Sequence, residues 1–159
     1  HLSCGGRESL QVELTILSDS CGGCQYCDFP YEAQLPVQTE KGYERRTFKN
    51  VDDIWAVIDL IAQETKTFNE EQGKGFDITK SISAQIPFFA CLNNVIDEKY
   101  LKLLNKYVYC TETNTPAYSG SYGEQPARWV QYFFIIKNAL AKKEQQMQDK
   151  ARREANTNG

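Results

Sequence analysis

Leu10, Val12, Leu14 and Ile16 alternate with Gln11, Glu13 and Thr15, a period of two that predicts a half-buried strand. That strand runs into Ser18-Asp19-Ser20 and then Gly22-Gly23, residues that favour a tight loop. Pro30, Pro36 and Gly42 separate short extended pieces such as 43–48, which predicts a small β meander rather than a helix. Residues 1–50 are therefore expected to be mainly β.

From residue 51 the period changes. Ile54, Val57, Ile58 and Ile61 fall at helical spacing, with Asn50 as the expected N-cap and Asp52 and Asp53 in the first turn, where the helix dipole favours acids. A helix of roughly four turns is predicted. Gly73 and Gly75 mark a polar loop, and a second helix is expected to begin near Pro87 and to run through Leu92, Val95, Ile96, Tyr100, Leu103, Leu104 and Tyr107. Residues 111–125 read as a long loop, and a third helix is predicted from Pro126. Its opening, Trp129, Val130, Tyr132, Phe133, Phe134, Ile135 and Ile136, is apolar all round, as in a helix buried centrally or shared with a partner.

Residues 141–159 are almost wholly charged or polar, the pattern of a solvated helical extension, with an assembly helix as the alternative. The whole reads as an α+β fold: one globular domain over 1–140, in which a small N-terminal β layer with a cysteine-rich loop packs on about three helices in 51–140. A charged helical tail, 141–159, follows.

Composition supports folding and narrows function. Eight Phe, nine Tyr and two Trp among 159 residues supply large side chains for a core. The net charge of −3 gives no general attraction to nucleic acid or anionic membranes. The segment 129–136, apolar but for Gln131, is about half the roughly 18 to 20 residues that a membrane helix needs, so no membrane association is expected. His1 is the only histidine, which removes Ser-His-Asp and Cys-His catalytic pairs among internal residues, and His-rich zinc hydrolase sites with them.

The candidate chemistry lies in Cys21-Gly-Gly-Cys24-Gln-Tyr-Cys27. Two thiolates at Cys-x2-Cys spacing can hold one ion from a single turn, and a third follows three residues later. Cys21, Cys24 and Cys27 with Cys4 are the expected metal ligands; Cys91 and Cys110 are alternative fourth ligands or disulfide partners. Zinc is the first expectation. The spacing followed by Pro30 partly resembles the bacterial ferredoxin motif, which implies an iron–sulfur cluster, but Phe29 stands where that motif has its fourth cysteine.

Two other readings stay open. Six cysteines could form three disulfides in a secreted recognition protein. A predicted strand, Cys21-Gly-Gly-Cys24 and a distant Ile86-Pro87 also resemble a thioredoxin-type layout, which implies a thiol-disulfide oxidoreductase with Cys21 attacking and Cys24 resolving. A bound metal would favour an intracellular protein, and oxidised cysteines an extracellular one.

Remaining polar patterns are weaker. Asp52-Asp53 and Glu70-Glu71 are sequence neighbours that diverge on a helix. Arg45 and Arg46 beside Tyr43 and Phe48, and Tyr118, Tyr122, Arg128 and Trp129, mix base and aromatic as an interaction surface or a single-strand nucleic-acid surface does. The expected function is non-enzymatic binding or assembly around a structural zinc site, with a protein partner or larger assembly.

Overall fold

The computed structural model describes residues 4–18 and 25–159, with side chains from Gly6 onward in the first helix. Among the described residues the elements are α1 (Cys4–Leu17), β1 (Tyr31–Gln34), β2 (Arg45–Phe48), α2 (Val51–Gln72), α3 (Ile78–Gln85), α4 (Leu92–Val95), α5 (Glu98–Thr113) and α6 (Ala127–Thr157). The fold is α+β, with six α-helices and one two-stranded antiparallel sheet among the described residues.

The predicted strand at 10–16 is a helix. Its alternation is two interleaved helical stripes: Leu10 and Leu14 are buried in one core cluster, and Val12 and Ile16 in another. Each pair is four residues apart, which is one face of a helix; a helix wedged between two cores shows apolar residues at every second position. The intervening polar residues also have partners. Thr15 Oγ1 donates to the Gln11 carbonyl at 2.7 Å and Thr79 Oγ1 to Glu13.

The β layer is smaller than a meander. Tyr31 pairs with Phe48 and Gln34 with Arg45, and the hairpin is extended by the Leu35 N–H donating to the Glu44 carbonyl at 2.9 Å. Gly42, at φ 80°, turns the chain in the left-handed region that glycine enters without steric cost.

The first predicted helix forms with its expected cap. Asn50 accepts from the Asp53 N–H at 3.2 Å, and Asp53 accepts from the Lys49 N–H at 2.7 Å. Ile54, Val57, Ile58 and Ile61 are fully buried. At 22 residues α2 is longer than four turns, ending at Gly73 with φ 58°.

The second predicted helix is broken up. Asp77 caps α3 by accepting from the Lys80 N–H, a short 3-10 turn covers Ile86–Phe88, and α4 follows. Ile96 is extended at φ −79° and ψ 127°, and Asp97 then accepts from the Lys99 N–H to start α5 afresh. A new cap at Asp97 after one extended residue explains why apolar spacing alone runs the two helices together.

The larger core gathers α1, the hairpin, α2, α3 and α4; the smaller one joins α1, α5 and α6 through Tyr100, Tyr132, Ile136 and Ala139. The start of α6 is one-sided rather than buried all round, since Phe134 is half exposed. The helix continues through the charged segment to Thr157. Among the described residues no helix is long and apolar enough to cross a membrane.

Candidate functional site

An aromatic ladder fixes the chain just after the cysteine motif. Tyr26 and Phe29 pack on Tyr31 with ring centroids 5.0 and 5.5 Å away, Tyr31 stacks on Phe48 at 5.0 Å, and Phe48 faces Phe89 at 6.0 Å. Offset ring contacts of this kind add to the area that they bury. Polar bonds fasten the same segment: Tyr31 Oη donates to the Phe89 carbonyl at 2.9 Å. Asn94 Nδ2 donates to the Cys27 carbonyl at 3.1 Å and to the Tyr26 carbonyl at 3.4 Å.

These contacts hold segment 26–31 against segment 89–94, and so bring together two thiols 64 residues apart. Cys27 Sγ lies 3.8 Å from Cys91 Sγ. Cys27 is exposed, whereas Cys91 is buried immediately before α4. The separation is a contact, well beyond the roughly 2.05 Å of a disulfide bond. Two thiols so placed can share a soft cation or exchange electrons with a disulfide partner.

Cys21 and Cys24 lie outside the described residues, as does the side chain of Cys4, whose backbone opens α1. Cys110 is half-buried in the last turn of α5. Among the described residues no group of three His, Cys, Asp or Glu is placed to hold a metal. The thioredoxin-type layout does not carry over to the described residues: the element before the motif is helix α1, and the one cis peptide there is Phe29-Pro30, not Ile86-Pro87.

The second cluster, Tyr118, Tyr122, Arg128 and Trp129, is only partly an open surface. Trp129 is buried, with Tyr118 edge-on to it at 6.5 Å and Phe133 at 6.3 Å. Lys106 Nζ donates to Tyr118 Oη at 2.7 Å and sits 4.0 Å from the Tyr118 centroid and 5.0 Å from that of Trp129. Arg128 pairs with Glu8, which also accepts from Tyr132 Oη at 3.0 Å. The hydrogen bonds from Arg128 and then Tyr132 hold the Glu8 carboxyl below its ordinary range. Tyr122 remains open to solvent in a short 3-10 turn.

Near the hairpin, Phe48 is fully buried and Arg46 pairs with Glu44 at 2.7 Å, whereas Tyr43 and Arg45 stay exposed. What sequence reasoning missed is that Lys99, Lys102 and Lys106 line one groove with Arg128. Their spacing of three and four residues was the available signal. No family model, curated protein or solved structure matches the chain.

Proposed function

We propose that this chain is a non-enzymatic binding or assembly protein whose cysteine-rich loop is tied to the body of the fold by a structural zinc ion. Cys27 and Cys91 are two of the ligands, and Cys21 and Cys24 are assigned as the others from the Cys-x2-Cys-x2-Cys spacing. The observation that carries this reading is the 3.8 Å separation of the Cys27 and Cys91 sulfurs. Sulfurs at about 2.3 Å from a tetrahedral zinc stand about 3.8 Å from one another.

The ladder and the Asn94 bonds support it further, because a structural site needs its ligands held by neighbouring packing. Support for a binding role comes from α5, where Leu101, Val108 and Tyr109 are exposed and only Tyr100 is buried. A helix so lightly covered suits a protein partner.

Native mass spectrometry of the purified chain, with thiol alkylation after denaturation, tests the assignment. One zinc per chain and six alkylatable thiols are expected. A metal-free chain two mass units light, with Cys27 and Cys91 joined in one peptide, would replace the metal by a disulfide.

A further inference from the structure

The groove between α5 and the start of α6 gathers positive charge that the thiol site does not use. Lys99, Lys102 and Lys106 share one face of α5 and span about 10 Å along it at about 1.5 Å per residue. Arg128 joins them from α6, with Leu103 and Tyr132 completing the lining of a cavity of about 450 Å³. That volume suits a small ligand.

The positive charge is fixed in place more than it is cancelled. Lys106 is held by the hydroxyl of Tyr118 and the ring faces of Tyr118 and Trp129, and Lys99 lies 5.0 Å from the Tyr100 ring centroid. Aromatic faces orient an ammonium without neutralising it. Glu8 takes Arg128, and Glu98 stands 3.5 Å from Lys102 in a pair exposed on both sides, where such pairs contribute little. Asp97, beside Lys99, adds a third carboxylate, and four cations against three still leave a local positive excess on a chain whose net charge is −3.

The same contacts select the ligand. Trp129 and Tyr132 are buried, and Lys106 covers the Tyr118 ring, so bases would find little open aromatic platform of the kind that single-strand binding relies on. An extended acidic peptide carries one charge per residue at about 3.3 Å of chain, so four charges match the length of the lysine row, but successive side chains point to opposite faces and only about half of them would reach it. We propose that the α5–α6 groove binds a compact, multiply charged phosphate anion of the linear oligophosphate class, contacted by Lys99, Lys102 and Lys106, with Arg128 at its edge.

Calorimetric titration of the full chain with tripolyphosphate at low ionic strength tests this. Saturable one-site binding that weakens with added salt is expected. Lys102→Gln and Lys106→Gln should each weaken it about tenfold, the loss of one charge-assisted contact. Lys41→Gln, at the hairpin turn, should leave it unchanged, with circular dichroism confirming that each variant is folded. Three results would overturn the proposal: no saturable binding; binding indifferent to Lys102 and Lys106; or tighter binding of hexaglutamate or an oligothymidylate of equal charge.

Discussion

Lys142 Nζ donates to Asp77 Oδ2 at 2.9 Å and stands 3.5 Å from Glu13 Oε1. One ammonium thus ties α6 to the cap of α3 and to the middle of α1. Two carboxylates brought together without it would repel, so the lysine also relieves a like-charge contact. Replacing it with Met, Lys142→Met, should cost about 1 kcal/mol, a figure that allows for screening at its partly exposed site.

The pH dependence of that loss is set by both partners. Burial alone would raise the Asp77 pKa, but hydrogen bonds from Lys142 and the Lys80 N–H outweigh it and hold the carboxyl below its ordinary value. The bond to Asp77 in turn raises Lys142. The aspartate's contribution is complete above its unfolded value of about 4 and is lost as pH falls through the lower folded value. The lysine's contribution is complete below about 10.4 and is lost as pH rises through its raised folded value. Urea melts of wild type and Lys142→Met should differ most near neutrality and converge at both extremes. A gap that stays constant down to strong acid would show that the bridge contributes nothing.

Tyr31→Phe keeps the ring stack but removes the hydroxyl that donates to the Phe89 carbonyl. Leaving that partly buried acceptor without its donor should cost about 1 to 2 kcal/mol. It should also loosen segment 26–31 against 89–94, so Cys27 should react faster with an aromatic disulfide reagent. Stability lost with no change in thiol rate would confine the bond to a general packing role.

The parts legible in sequence are those governed by one partner surface. Asn50 and the Ile54, Val57, Ile58, Ile61 face announce α2 because that helix buries a single stripe against one core. Pro126 and the aromatic run after it likewise announce α6. α1 reads as a strand because Leu10 and Leu14 serve one core, and Val12 and Ile16 another, so two helical periods sum to the period of a strand. α3 carries its own signals: Asp77 as cap and Ile78, Ile82 and Ile86 four residues apart. The meeting of Cys27 with Cys91 could not be read locally, since it depends on Tyr31 reaching Phe89 across 58 residues.

The charged tail has a boundary that composition hides. Lys142 bridges α1 and α3, and Lys143 Nζ donates to the Leu17 carbonyl at 3.2 Å, covering an open end of α1. Past Glu144 most residues are exposed. Deleting 145–159 should leave the melting temperature within about 2 °C of the full chain, whereas deleting 141–159 should lower stability by about 1 to 2 kcal/mol. Sedimentation of the shorter deletion checks the alternative: a fall from oligomer to monomer would make the extension an assembly element.

Cysteine substitutions separate the structural-metal reading from its rivals most directly at Cys27. Its side chain is exposed, so Cys27→Ser costs little through packing, and a large loss of stability that comes with loss of the metal points to a lost ligand. With a structural zinc, Cys27→Ser and Cys91→Ser should both lose the metal and several kcal/mol, because binding energy at such a site is folding energy. Cys91→Ser adds a packing penalty at a buried position, which makes the exposed substitution the decisive one. Cys110→Ser, on α5, should keep both zinc and stability. Zinc content and thermal melting of the three variants are the measurements. A Cys27→Ser protein that melts like wild type and retains its zinc would remove Cys27 from the site, and the 3.8 Å sulfur contact would lose its meaning as a ligand pair.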